Sequence, residues 1–252
     1  MGITVDAATL ARGWLSVAQA AATKDREDRP ALWRTVCVEQ HTHGLRLTSL
    51  DNYMLLTAWV AEQHYEYDAE PGLDEVPYAT AVAIDGHGRG AGLLAYVLAL
   101  TKPEDGPKNL DVVVSLNVPW QAAETPDDEL QLEGFEALAL TMEYPDNERV
   151  QLQVYEGTYP NWRPLLARRK TVKTSSIGLS QWIAGRLAKA AKPHDETTVI
   201  RHWFGGQNKP IGVAFGGEPE VSGLVMPVRW DIERDEPWAD PTADATSTGG
   251  DL

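Results

Sequence analysis

The sequence predicts an α+β fold in which antiparallel strands outnumber helices. Most of the chain consists of short β-branched or aromatic runs separated by turn residues, the usual pattern of strands in antiparallel sheets. Three segments show the period of an amphipathic helix. A length of 252 residues with 43% hydrophobic residues allows one large domain or two of ordinary size.

Each of the three predicted helices has an apolar stripe and a recognisable end. The first spans residues 6–23, where Asp6 is placed to cap the first turn. The second follows the glycine-rich segment GHGRGAG, covers about residues 90–100 and stops before Pro103. The third covers about residues 177–191 and stops before Pro193. We expect no helix between residues 110 and 169.

The predicted strands follow one another as hairpins. Asp51-Asn52, Pro145-Asp146-Asn147 and Gly205-Gly206 supply turn residues between neighbouring runs. The runs are WRTVCVEQ, LRLTSL, YMLLTAWV, YATAVAI, LDVVVSL, EALALTMEY, VQLQVYEG, VIRHWF and KPIGVAF.

Charge is distributed unevenly along the chain. Between Glu156 and Asp195 there are 38 residues without a carboxylate, and this window carries eight of the 22 Lys and Arg residues. The remaining 14 cations stand against 37 acids, so the rest of the chain is strongly acidic. One basic strip on an acidic body can hold a phosphate backbone in a single place, although the same strip could also be a solvated face.

Two further features concern compartment and termini. A single cysteine, Cys37, allows no intramolecular disulfide and fits a reducing environment, and no apolar run approaches a membrane span, so we expect a cytoplasmic protein without a membrane partner. From Asp231 onward the chain has seven acids and one Arg, which predicts an acidic disordered tail over residues 231–252. Trp238 is the exception in this tail, as an apolar side chain suited to docking on another surface.

Several segments resemble, in the same order, those of the bacterial DNA polymerase sliding clamps, the DNA polymerase III beta subunit family. The pair GLRLTSLDNYMLL is similar to a strand pair of the first clamp domain, and EGTYPNWRPL resembles the segment that crosses from one clamp domain to the next. SIGLSQWIAGRLAKAAK, the hairpin ending in KPIGVAF and GLVMPVRW resemble the closing half-domain, whose last strand carries a Met-Pro-x-Arg motif. The resemblance is that of a divergent, bacteriophage-type member.

This resemblance implies a sliding-clamp fold of repeated β-α-β-β-β units, with helices lining a central hole and antiparallel sheets outside. It divides the chain into an N-terminal clamp-like domain (1–158), a C-terminal and possibly abbreviated one (159–230), and the tail. Two complete domains per chain would close a six-domain homo-oligomeric ring as a trimer, which is the favoured assembly. Whether the second domain is complete stays open at this stage.

The resemblance also implies a processivity factor for DNA replication that encircles duplex DNA and binds a DNA polymerase and a clamp loader. A ring that slides must contact phosphates instead of bases, because base contacts would hold it in one register. The candidate DNA-contacting residues are Arg168, Arg169, Lys170, Lys173, Arg186, Lys189 and Lys192. The candidate partner-peptide groove comprises Leu224, Val225, Met226 and Pro227, which could instead form an ordinary buried edge strand.

Two other classes of function have weaker support. A nucleotide-dependent enzyme could use the turn Gly86–Gly92, but this segment lacks a clean G-x-G-x-x-G spacing and the lysine of a P-loop. A non-ring DNA-binding regulator would need a helix-turn-helix, and no predicted helix has a close partner of that kind. His41 and His43 lack further ligands at a suitable spacing, so we expect no metal, cofactor or catalytic residues.

Overall fold

The computed structural model describes residues 2–22, 31–63, 72, 77, 79–83, 111–117, 139–143, 149–153, 159–167, 171–173, 177–195, 198–206 and 208–228. All structural statements concern these residues. The second predicted helix and the predicted tail lie outside them.

The chain begins with strand β1 (Gly2–Asp6), which leads directly into helix α1 (Ala7–Val17). Asp6 accepts a hydrogen bond from the backbone N–H of Thr9 at 2.7 Å, which satisfies one of the free donors of the first turn. One face of the helix, including Leu10, Trp14 and Val17, is buried. The helix continues into a 3₁₀ turn at Ala18–Ala20, so the predicted helix at 6–23 is confirmed with a shorter α-helical part.

Seven strands form one antiparallel sheet in the order β5-β2-β3-β4-β11-β10-β9. Their bounds are Val36–His41 (β2), Gly44–Leu50 (β3), Met54–Ala61 (β4), Ala79–Ala83 (β5), Arg201–Trp203 (β9), Ile211–Phe215 (β10) and Val221–Val225 (β11). A second sheet has the order β1-β6-β7-β8, with β6 at Asp111–Asn117, β7 at Ala139–Glu143 and β8 at Arg149–Gln153.

The strands of the first 153 residues are exchanged between the two sheets. β1 pairs with β6, whereas β5 pairs with β2, so each sheet takes one strand from the other half of this segment. The C-terminal segment 177–228 then supplies a helix followed by β9, β10 and β11. β11 pairs with β4, with Gly223 opposite Leu56, and this ladder joins the two predicted clamp-like domains in one continuous sheet.

The main core lies between the seven-stranded sheet and two helices, α1 and α3 (Gln181–Ala191). Alternate strand residues such as Val38, Leu47 and Leu56 point into this core. The opposite face of the sheet is covered by the connector, which we define as residues 159–167. This segment contains the one-turn helix α2 (Arg163–Ala167) and places Trp162 against Leu55 and Leu224.

The structure confirms the α+β class, the nine predicted runs as strands and the antiparallel hairpins. Two details differ from prediction. Helix α3 begins at Gln181 instead of 177, because Ser180 caps it by accepting a hydrogen bond from the N–H of Ile183. The helix α2 was not expected between residues 110 and 169. No helix in the described segments has the length and apolar content that crossing a membrane requires.

Candidate functional site

An open cavity of about 850 Å³ lies where the two predicted domains meet. Four segments contribute its described walls: the end of helix α1 with the turn after it, the β3–β4 turn, the start of helix α3, and the chain just after β11. We call this cavity the junction pocket. Its size is within the usual range for ligand-binding clefts.

Aromatic and thioether side chains give the junction pocket an apolar surface. Tyr53 and Trp182 meet edge to face, with ring centroids 5.5 Å apart and an interplanar angle of 90°. Trp182 is 53% exposed, although Trp is among the most hydrophobic side chains, and Met226, which also lines the pocket, is 38% exposed. An exposed cluster of this kind is typical of a surface that binds another apolar group.

Arg186 forms the polar floor of the pocket. Its guanidinium donates three hydrogen bonds: to the carboxylate of Asp51 at 2.7 Å, to the carbonyl oxygen of Gln19 at 2.8 Å and to that of Ala21 at 3.2 Å. It also lies 4.6 Å from the centroid of the Trp182 ring, in a cation–π contact. Arg186 therefore ties helix α3 to the end of helix α1 and to the β3–β4 turn.

Asp51 completes this network on the other side. One of its carboxylate oxygens accepts hydrogen bonds from the backbone N–H groups of Tyr53 and Met54, at 2.8 and 2.9 Å. The other oxygen accepts a hydrogen bond from the guanidinium of Arg186. A short acidic side chain that bonds the backbone two and three positions later is a common way to form a tight turn. The same residue thus shapes the turn that presents Tyr53 and pairs with the buried cation.

The chain leaves β11 along the rim of the pocket. The N–H of Met226 donates to the carbonyl of Tyr53, and the N–H of Val228 donates to the carbonyl of Gly178, both at 2.8 Å. These bonds hold Met226, Pro227 and Val228 against the turn and against the segment before helix α3, where all three line the pocket.

The connector supplies a second junction on the opposite face of the sheet. Trp162 is buried, and Arg163 forms a 2.8 Å ion pair with Glu39 of strand β2. Burial raises the pKa of the Glu39 carboxyl, and the guanidinium of Arg163 partly offsets this effect. The connector is therefore fixed to the N-terminal strands by an apolar anchor and an ion pair.

The architecture is similar to that of solved DNA polymerase sliding clamps. The chain aligns with the DNA polymerase III beta subunit of Thermotoga maritima at a TM-score of 0.55, with 12% identity, over 92% of this chain and 65% of that one. The sliding clamps of Bacillus subtilis and Pseudomonas aeruginosa give TM-scores of 0.52 and 0.55, with 13% and 12% identity. The chain has the sliding-clamp fold. These two alignments each cover 91% of this chain but only 64% and 66% of the two clamps, so the chain spans about two thirds of their length. No protein-family profile and no curated protein sequence matches it.

Two of the four predicted groove residues are buried in this chain and do not line the pocket. Leu224 is buried against Leu55 and Trp162, and Val225 is buried in the main core. Both are covered because the sheet is packed on its two faces, by the helices and by the connector. Met226 and Pro227 line the junction pocket, together with Tyr53 and Trp182, which were not predicted as groove residues.

Arg186 is also in a different place from the one predicted. It was expected to face DNA, but its side chain is buried and ion-paired with Asp51, so we remove it from the DNA-contacting set. Lys189 is exposed on helix α3, Lys192 is exposed at the C-cap of this helix, and Lys173 is exposed ahead of it. Arg168, Arg169 and Lys170 lie outside the described residues.

Two features of the sequence raised the alternatives of a nucleotide site and a metal site. The turn Gly86–Gly92 lies outside the described residues. Within the segments that the structure describes, no three His, Cys, Asp or Glu side chains come together in a group able to hold a metal ion.

Proposed function

We propose that this protein is a DNA sliding clamp, a non-enzymatic processivity factor that keeps a DNA polymerase on duplex DNA. The observation that carries this proposal is the fold, in which antiparallel sheets and packed helices are arranged as in the DNA polymerase III beta subunits. The proposal includes a bacteriophage replication context, a cytoplasmic location and a clamp loader as partner.

The charge distribution supports the DNA-binding part of the proposal. Lys189 near the end of helix α3 and Lys192 at its C-cap are both exposed, and the chain as a whole carries a net charge of −15. Two cations on the helical layer of an acidic protein provide phosphate contacts there while the remaining surface repels DNA. Lys173, Arg168, Arg169 and Lys170 extend this proposed contact set.

The junction pocket supports the tethering part. Tyr53, Trp182 and Met226 form an exposed apolar surface next to the end of the last strand. Aromatic side chains and methionine are the residues that most often anchor or accept short apolar peptides. We assign the partner-peptide groove to this pocket, with Met226 and Pro227 as its strand-side wall.

A ring requires more than one chain, and we propose a homo-oligomer. The chain aligns with about two thirds of a clamp of the Thermotoga maritima type. If the six-domain ring is kept with two clamp-like domains per chain, it closes as a trimer. The division into domains 1–158 and 159–230 fits the strand exchange within the first 153 residues and the shorter unit after the connector.

Light scattering and DNA titration together test this function. We expect a homo-oligomeric molar mass, and equal affinity for duplexes of unrelated sequence. The plot of log K for DNA binding against log salt concentration has a negative slope. The Lys189→Ala/Lys192→Ala variant should make this slope less steep by roughly 0.9 for each lost phosphate contact. Lys209→Ala, in the exposed turn between β9 and β10, removes one cation on a different element and should leave the slope unchanged.

Two results would overturn the proposal. A monomer at micromolar concentration would exclude a ring. A strong preference for one DNA sequence would indicate base contacts, which a sliding protein cannot use.

A further inference from the structure

The described chain ends at the junction pocket itself. Val228, its last described residue, lines the pocket and is fixed there by the hydrogen bond from its N–H to the carbonyl of Gly178. The 24 residues from 229 to 252 therefore start at the rim of the pocket.

The pocket offers both an apolar surface and a positive rim. Trp182, Tyr53 and Met226 expose their side chains, whereas the charge of Arg186 is matched by its partner Asp51. Lys189, one turn further along helix α3, is exposed and also lines the pocket. An aromatic ring flanked by carboxylates complements such a surface.

The C-terminal segment contains one residue of this type close to its start. Trp238 stands ten positions after Val228 and is flanked by Asp235, Glu236 and Asp240. A ten-residue segment has a root-mean-square span of about 17 Å if flexible and reaches about 33 Å when extended. Both lengths are sufficient to bring the indole of Trp238 back into a pocket that begins at Val228.

We propose that Trp238 occupies the junction pocket of its own chain and competes there with partner peptides. This inference rests on the proposed function of the pocket as a peptide groove. The acidic residues beside Trp238 lie near Lys189, and the indole packs against Trp182 and Met226. The tail thereby regulates access to the groove, because a partner must displace it before binding.

Connection through the chain makes even a weak contact effective. A short flexible linker gives an effective concentration in the millimolar range, so a tail segment with a dissociation constant of about 0.1 mM would occupy the pocket most of the time. A competing peptide would then bind the intact chain roughly tenfold more weakly than a chain without the contact.

A labelled synthetic peptide of residues 231–242, DIERDEPWADPT, is a suitable probe, with fluorescence anisotropy as the readout. We expect it to bind full-length Trp238→Ala at least fivefold more tightly than full-length wild type, whose own tail occupies the pocket. Adding Trp182→Ala to Trp238→Ala should weaken peptide binding at least tenfold. Adding Trp203→Ala instead should leave it unchanged, because Trp203 is an exposed tryptophan of strand β9 that does not line the pocket.

Three outcomes would overturn the inference: equal affinity of wild type and Trp238→Ala, no binding of the peptide to Trp238→Ala at millimolar concentration, or loss of an oligomer on Trp238→Ala substitution. The last would place the tail in a second copy of the chain. DNA affinity of the same variants is measured in parallel. If the protein does not bind DNA but the tail still competes with the peptide, the proposed clamp function is refuted and the tail contact stands. If the protein binds DNA but the tail does not compete, the tail contact is refuted and the clamp function stands.

Discussion

Arg186 and Asp51 form a 2.7 Å ion pair between helix α3 and the β3–β4 turn, although 135 positions separate them in the sequence. The Asp51 side chain is 1% exposed and that of Arg186 is 10% exposed, so water solvates neither charge to a large extent. The pair is therefore a structural link between the segments before and after the connector.

Removing one partner of this pair should destabilise the whole fold. We expect Arg186→Ala to lower the free energy of unfolding by about 3–5 kcal/mol, because it leaves the Asp51 charge buried and unpaired. The Asp51→Ala/Arg186→Ala double variant should lose less than the sum of the two single variants. Chemical denaturation measures all three.

The matched control is Arg201→Ala, which breaks the exposed ion pair with Glu220. Its cost should be at most about 1 kcal/mol, since exposed pairs contribute little. A similar small cost for Arg186→Ala would contradict a structural role for Arg186.

Gly223 provides a test of the ladder between β4 and β11. A Cβ atom at this position would overlap the carbonyl oxygen of Leu55 on the neighbouring strand. We expect Gly223→Ala to cost about 1–3 kcal/mol or more, because two paired backbones must move apart. Gly217→Ala, where a Cβ would meet nothing within 4 Å, should be close to neutral in the same thermal melts.

Met226 and Leu224 distinguish a groove residue from a core residue. Met226 is 38% exposed at the pocket, so Met226→Ala should weaken binding of a pocket-directed peptide by about 1–3 kcal/mol and change the melting temperature little. Leu224 is buried, so Leu224→Ala should lower the free energy of unfolding by about 2–5 kcal/mol. Peptide titration beside thermal melts checks both, and a large loss of stability for Met226→Ala would refute its place in the groove.

His194 should make stability depend on pH. Burial lowers its pKa to about 4, with a smaller contribution from Arg12, and its Nε2 lies 3.1 Å from Oγ of Ser16. Because the folded state favours the neutral ring, the unfolded state binds the extra proton between pH 6.5 and about 4, and stability should fall as pH decreases through this range. Above pH 6.5 this contribution is complete.

His194→Gln removes the titrating group while keeping a hydrogen-bonding side chain. We expect the stability difference between wild type and His194→Gln to shrink as pH falls from 7 to 5 in urea titrations. Parallel pH profiles for the two proteins would exclude His194 as the source.

Local patterns predict the secondary structure well because strands and caps depend on neighbouring residues. The β-branched runs and their turn residues locate the strands, and Asp6 before an apolar period locates helix α1. The start of helix α3 is misplaced because the apolar pattern already begins at Ile177, whereas the hydroxyl of Ser180 determines the first turn.

The candidate site depends on contacts between distant residues, and these are not visible in a local pattern. A basic flank on a helix predicts solvent exposure, but Arg186 is buried because it forms an ion pair with Asp51 from a distant part of the chain. Likewise, a strand such as β11 normally exposes one face, and the connector with Trp162 covers it. Met226 and Pro227 were predicted from the family resemblance, and Trp182 gives a further local signal, because it is a large apolar residue outside the apolar stripe of its helix.

The ladder between β4 and β11 also has a consequence for synthesis on the ribosome. Strand β4 ends at Ala61 and its partner begins at Val221, so about 160 residues must be translated before the two can pair. At about 5–20 residues per second, the β11-facing edge of β4 waits roughly 8 to 32 s. An edge strand without its partner is a site of wrong pairing with other chains. We therefore expect this protein to need protection by chaperones while its N-terminal part is synthesised and β11 is not yet available.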